Sequence, residues 1–404
     1  MEVFVGHDWA EVHHDVFVVD SDGERLGYRR VGPGVDGVAA FHDLVGVFVD
    51  EPGEVTVATE TDSGLFVAAL VGAGYRVHAI NPMSVKRYRE RHVTSGAKSD
   101  AGDAKVLADL ARTDAHNHRQ IAGDSESAGA IKVLARSHQN LIWTRQRQSN
   151  QLRSALIDFY PAALEAFSDL QHSDAIEVLK IAPTPALGQR LSLSKIGSAL
   201  RRGGRQRNID KRASEIQQAL RTEHLRTAPQ VEQAMGANVA ALIAVIGTLK
   251  TQIATVETEL HSSFETHPDA KIIQSLPGLG MTLGARVLAE FGDDPERYDS
   301  AKSRKNYAGT SPITKASGRR HVVLARHVRN QRLADATYQW AFAAITPSPG
   351  ARTFYDQRRA KGDTHSRALR SLANRLVGIL HGCLKHQTLY DEHTAWAHRQ
   401  QHAA

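Results

Sequence analysis

"VFVGHDWAEVHHDVFVVDSDG", residues 3–23, holds two runs crowded with β-branched and aromatic residues, 3–9 and 13–20, closed by the turn signal Ser21-Asp22-Gly23. Runs of this kind bounded by Asp and Gly predict strands, so the chain opens with β structure. Apolar residues then recur at three and four over residues 35–50, which predicts a helix. A short strand over 54–60, a helix over 64–72 and a strand over 75–80 follow. A β-rich opening that passes into strand and helix alternation predicts an α/β domain over residues 1–115.

Beyond residue 115 the pattern turns helical. Ile131, Leu134, Leu141, Leu152, Leu156 and Phe159 lie on a helical repeat from about 127 to 160, where Pro161 ends it; Leu242, Ile246, Leu249, Ile253, Val256 and Leu260 mark a second one from 229 to about 261. Two long amphipathic helices predict a coiled coil, within one chain or between subunits, in an all-α middle over 116–268. Between them "ALRRGGRQRNIDKR", residues 199–212, offers Arg201, Arg202, Arg205 and Arg207 either to a nucleic acid or only to solvent. The last part, 269–404, is mainly helical. It opens with "SLPGLGMTLGARVLAEFGD", residues 275–293, which resembles a helix-hairpin-helix motif. There Gly278 and Gly280 would let backbone N–H groups approach a phosphate at a helix N-terminus.

The 404 residues suffice for two or three domains, and 41% hydrophobic with 23% charged residues is the balance of a soluble globular protein. No run of eighteen apolar residues and no basic-then-apolar leader predicts a membrane partner or export, so a cytosolic location is expected. A lone Cys383 excludes an intramolecular disulfide and a cysteine-based zinc site. Charge is unevenly spread: residues 1–62 hold fourteen Asp or Glu against three Arg, a net of −11, while 47 Lys or Arg against 30 acids give the remainder +17. Between Asp299 and Asp335 there are nine Lys or Arg and no acid. A long basic remainder points to a polyanion, nucleic acid being the commonest.

Within the acidic part, Asp8 closes the first strand and Glu60 a later one. Asp100 and Asp103 share one face at the start of a helix, just after the basic run Lys86, Arg87, Arg89 and Arg91. Four carboxylates converging at one sheet edge repel unless cations lie between them, and two Mg2+ ions would satisfy them. Such a pair of ions suits in-line displacement at phosphorus. With fourteen acids in 62 positions, ordinary surface residues give the same pattern, and Asp15, Asp20 and Asp62 compete for the same role.

Asp8, Glu60 and the Asp100/Asp103 pair, in this order and spacing, resemble the DEDD quartet of the insertion-sequence one-ten family of transposases, itself similar to Piv-type DNA invertases. "INPMSVKRYRERHVTSGAKSDAGDAKVLADLAR", residues 80–112, and "NYAGTSPITKASGRR", residues 306–320, extend the likeness to both ends of the chain. The resemblance implies a ribonuclease-H-like (RuvC-like) first domain, a DNA transposase or recombinase activity, and a serine that acts with the quartet, here Ser317. It implies further a bridge RNA that pairs with donor and target DNA, and a homo-oligomer, dimer or tetramer. Lys315, Arg319 and Arg320 flank Ser317, which without the resemblance reads as a turn on a basic surface. This chain has Ala316-Ser317-Gly318-Arg319 where the family has Ser-Ser-Gly-Gly or close to it, and it is longer than is usual, between 160 and 230. Two other readings fit the residues: a metal-dependent nuclease or Holliday-junction resolvase in which water attacks, and a nucleic-acid-binding protein without catalysis.

Overall fold

Alternation at the N-terminus folds as a six-stranded mixed sheet. Its strands are β1 (Val3–Trp9), β2 (His14–Val19), β3 (Arg25–Val31), β4 (Val55–Thr59), β5 (Arg76–Ala79) and β6 (Arg119–Gln120). They lie in the order β3-β2-β1-β4-β5-β6: the first three form an antiparallel meander, β4 and β5 run parallel to β1, and β6 is antiparallel to β5. The computed structural model describes residues 2–92, 99–121, 123–318, 320–327 and 329–400. Contacts divide the chain into two units, Met1–Ser125 with Asp294–Asp299, and Glu126–Asp293 with Ser300–Ala404. The chain is thus mixed α/β, with its mixed sheet in the first unit and a largely helical second unit.

Both faces of the sheet are covered, which explains why β1, β2 and β4 are almost continuously apolar. Val3, Val5, Val16, Val18, Val55 and Val57 pack with Phe41 and Val45 of helix α1 (Val35–Gly46) and with Phe66, Val67 and Leu70 of α2 (Leu65–Gly72). Each such buried side chain contributes about 1.5–3 kcal/mol relative to exposure. On the other face lies α4 (Asp100–Asp114), after α3 (Pro82–His92). Its Ala104 and Ala108 pack on Phe17 and Val19, and its Val106, Leu107 and Leu110 on Ala58 and Ile80. Gly6 sets the spacing: a Cβ there would lie 1.8 Å from the Ala104 carbonyl oxygen.

In the second unit α5 (Glu126–Phe159) packs along a helix of Pro229–Glu265. Leu152, Leu156 and Phe159 share a core with Val239, Leu242 and Ile246, while His138 feels the charges of Glu257 and His261, so the two helices run antiparallel. The Pro229–Glu265 helix has an 18-residue window of mean hydropathy 1.7, long and apolar enough by composition to cross a membrane. Its buried Val239, Leu242, Ile243, Ile246, Ile253, Leu260 and Phe264 nevertheless recur at three and four, the spacing of a helix packed on one side. Between these helices five short ones, Pro161–Ala166 to Ile209–Leu220, fold around Ile176, Leu179, Leu200 and Ile216. Arg136 holds Glu290 with two bonds, at 2.8 and 3.0 Å, and Arg286 holds Asp335 at 2.6 Å. These pairs join α5 to the Met281–Phe291 helix, and that helix to Gln331–Ala344.

Candidate active site

The acids of the first unit meet because of strand register. β1 pairs in parallel with β4 up to His7 and Thr59, so Asp8 and Glu60 stand one step beyond as neighbours. On its other side Asp8 is directly opposite Asp15 of β2, and Asp15 is opposite Arg30 of β3. One row thus crosses four adjacent strands, Arg30, Asp15, Asp8 and Glu60, on the face that α4 covers. Ser99 starts α4 by accepting a hydrogen bond from the Gly102 N–H at 3.1 Å, so Asp100 and Asp103 fall in its first turn, where the helix dipole favours negative charge. Asp103 is buried and Asp100 exposed.

Burial, and then the charges of Asp103, Glu60, Asp100 and Asp15, push the Asp8 carboxyl up to about 6. The neighbouring acids are therefore close enough for their charges to oppose the ionisation of Asp8. Cations of the protein answer part of that repulsion. Arg89 of α3 pairs with Asp103. Arg30 grips Asp15 through Nε at 3.2 Å and Nη2 at 3.0 Å, and the same Nη2 donates to Asp100 at 3.0 Å. Tyr28 donates its hydroxyl to Asp15 as well. On the opposite face of the sheet, His7 and His14 stack with Phe66, their Nε2 and Nδ1 2.6 Å apart; burial and then His14 hold His7 down to about 3, so it is neutral.

Ser317 stands in a different setting. It ends β7 (Ile313–Ser317), which pairs with β8 (Arg320–Leu324) as a two-stranded ribbon. The register puts Ser317 opposite Arg320 and Lys315 opposite Val322, so Lys315, Ser317 and Arg320 share one face. All three are exposed. Gly318 turns the ribbon at φ +55°, a conformation that favours glycine. Arg319 lies outside the described residues.

The other basic residues singled out from sequence are scattered in character. Lys86 lies 3.8 Å from Glu90, Arg87 and Arg91 are exposed on α3, and Arg89 is engaged with Asp103. Arg201 and Arg207 are exposed, whereas Arg202 reaches Glu177 at 3.3 Å and Arg205 reaches Asp174 at 2.6 and 2.8 Å. Gly278 has φ +81°, and a Cβ there would lie 2.7 Å from the Ala344 N; Gly280 precedes the first turn of Met281–Phe291. Sequence reading missed the roles of Arg30, Tyr28 and Asp15. The signal for Asp15 was its place on the Phe17–Val19 face, which only the strand register connects to Asp8.

Two family models match the chain: a DEDD transposase model over residues 5–161, and a transposase model of the IS116/IS110/IS902 family over residues 270–356. The first spans the acidic site and the second the serine ribbon. The chain is 44% identical to the mini-circle putative transposase for IS117 of Streptomyces coelicolor, over 100% of this chain and 99% of that one. The chain belongs to the IS110 family of transposases. It is also 30% identical to an IS116 insertion-element protein of Streptomyces clavuligerus over 96% of each chain. A further likeness, 29% over 98% of each chain, is to the IS900 insertion-element protein of Mycobacterium paratuberculosis. Transposases are enzymes that cut and rejoin DNA, and membership of the DEDD group implies use of a divalent metal.

The residues fit such an ion. Carboxylate oxygens are hard donors suited to Mg2+ or Mn2+ rather than to a thiophilic metal, and Asp8, raised first by burial and then by the charges of its neighbouring acids, stands where a cation would favour the ionised form. His13, Asp15 and Asp100 also bring donor atoms within 4.8 Å of one another, but there the Arg30 guanidinium already bridges the two acids.

Proposed function

We propose that this transposase cuts and rejoins donor and target DNA through a transient phosphoserine link at Ser317, with two Mg2+ ions held by Asp8, Glu60, Asp100 and Asp103. The observation that carries the reading is the row of acids at the ends of β1 and β4 beside the first turn of α4, with Asp8 pushed up to about 6 by burial and its neighbours. The strand order β3-β2-β1-β4-β5 supports a ribonuclease-H-like, RuvC-like reading of this domain. When bound, the metal supplies charge neutralisation at the scissile phosphate.

The chain's own part is positioning and proton transfer. Ser317 Oγ forms a bond to phosphorus as a bridging P–O bond breaks; the serine proton leaves, and the departing sugar oxygen takes one up. A hydroxyl of another strand then reverses the exchange, so the bond energy is kept and no nucleotide cofactor is needed. Lys315 and Arg320, on the same face as Ser317, would steady the phosphate. In this reading residues 1–115 supply the acids, 116–268 the coiled-coil contact of a dimer or tetramer, and 269–404 the serine. Lys86, Arg87, Arg91, Arg201, Arg207 and the Gly278–Gly280 turn would hold backbone phosphates. A bridge RNA chooses the DNA by base pairing, and the enzyme works in the cytosol, at the nucleoid.

Magnesium-dependent strand cleavage tests the reading. It should disappear in Asp8→Asn, and strand joining should disappear in Ser317→Ala; sequencing of copurified RNA should return one structured species. A water-dependent nuclease or resolvase is the second reading, favoured by one observation: among the described residues no acid or histidine hydrogen-bonds Ser317. Cleavage that survives Ser317→Ala supports it.

A further inference from the structure

Asp15 is a buried carboxylate, 2% exposed, that the proposed chemistry does not use. A buried acid persists when it is paired and hydrogen-bonded. Here Arg30 closes two bonds on it and Tyr28 a third. The guanidinium is not finished there, because its Nη2 is shared between Asp15 Oδ2 and Asp100 Oδ2, 3.0 Å from each. Asp100 is 57% exposed, on the first turn of a helix, where an aspartate without such a tether would sample several rotamers.

We propose that Arg30, anchored on Asp15, is a positioning residue that aims Asp100 into the metal-bearing site, so that Tyr28, Asp15, Arg30 and Asp100 form a support chain behind the acids. The inference rests on the reading that the quartet holds divalent metal. Strand register supplies the geometry: Arg30 is opposite Asp15, and Asp15 opposite Asp8, so the anchor and the acid quartet stand in one row and share any displacement of the sheet.

Two alternatives for the same residues fail on this geometry. A guanidinium near a dication repels it, but Arg30 and Asp15 form a neutral pair, which leaves a short-range dipole in place of a net charge. The bond to Asp100 also engages Oδ2 only, leaving Oδ1 for a cation. His13, Asp15 and Asp100 could ligate an ion of their own, with His13 Nε2 at 3.5 and 3.7 Å from the two acids. That corner already has its cation, since Arg30 Nη2 sits on the same two Oδ2 atoms. Ligating carboxylates are commonly held by hydrogen bonds from an outer layer whose loss weakens metal binding about 10–100-fold.

The test is Mn2+ binding to the full-length protein, followed by electron paramagnetic resonance of free and bound ion, with circular dichroism to confirm folding. Arg30→Met should weaken Mn2+ binding about 10–100-fold and broaden the bound spectrum. Arg30→Lys, which keeps the charge but loses the second bond to Asp15 made by Nε, should recover part of the loss, and Tyr28→Phe should show a smaller loss. Unchanged or tighter binding in Arg30→Met overturns the proposal, the latter by making Arg30 a competitor of the metal. If Arg30→Met fails to fold, wild-type affinity in both Arg30→Lys and Tyr28→Phe overturns it equally. Asp103→Asn serves as reference: if it binds Mn2+ as the wild type does, the metal reading of the quartet fails and takes this proposal with it.

Discussion

Asp8, Asp15 and Asp103 stand on two strands and a helix fixed by a valine-rich core, whereas Ser317 ends a ribbon whose residues are nearly all exposed. The acids are shaped from within. Their spacing follows from strand register and from Gly6, and their charges are answered by Arg30 and Arg89. The ribbon is exposed, and among the described residues Lys315 and Arg320 share the face of Ser317. A preorganised acid site holds its geometry before substrate arrives. A serine on an exposed two-stranded ribbon takes its final environment from what binds to it, since two strands alone are marginally stable in water.

Substitutions can break this contrast, and the largest effect is expected at the acids. Asp8→Asn should lower strand cleavage on the order of 10³-fold while leaving the metal-free protein at least as stable, because a repelling charge is removed. Urea unfolding in the presence of a chelator measures the second part; marked destabilisation would show that the acids do not repel one another. Gly6→Val comes next. A Cβ 1.8 Å from the Ala104 carbonyl must push α4 off the sheet, so unfolding free energy should fall by about 1–3 kcal/mol. Full stability in this variant would remove the close approach that sets the acid spacing.

A smaller effect is expected from pH. Asp8 has a folded value near 6 against an ordinary 3.8. The stability it contributes is therefore fully present below about pH 4 and is lost as pH rises through 6. The metal-free protein should lose stability between about pH 4 and pH 6, and Asp8→Asn should flatten that slope. The smallest effects belong to the ribbon: Lys315→Ala and Arg320→Ala should each leave thermal unfolding unchanged and lower the salt dependence of DNA binding by about one counterion. A change in unfolding temperature would mean that the ribbon is packed more firmly than its exposure indicates.

The same contrast governs what the sequence makes legible. β1, β2, β4, β5 and the two long helices follow from apolar pattern, since each buries a continuous face. β3 does not: Arg25, Arg29 and Arg30 break its alternation because it is the sheet's edge. The five helices over 161–220 are interrupted by Pro161, Pro183, Pro185 and Gly203-Gly204, so no single periodic run spans that stretch and it reads as irregular. Asp8, Glu60, Asp100 and Asp103 are found as strand and helix ends, but Asp15 looks like any other acid until β2 is paired with β1. The role proposed for Ser317 rests on family resemblance alone. Nothing in a Ser-Gly turn on a basic surface distinguishes a nucleophile, and the ribbon adds only the shared face with Lys315 and Arg320.

The central claim is the phosphoserine link, and trapping it is the most direct test. A DNA substrate nicked so that the cut end diffuses away should leave DNA attached to the protein in the presence of Mg2+, with mass spectrometry assigning the attachment to Ser317. No adduct should form with Ser317→Ala or Asp103→Asn. Cleavage by the wild-type enzyme with no covalent adduct, retained in Ser317→Ala, would contradict the account and make water the nucleophile.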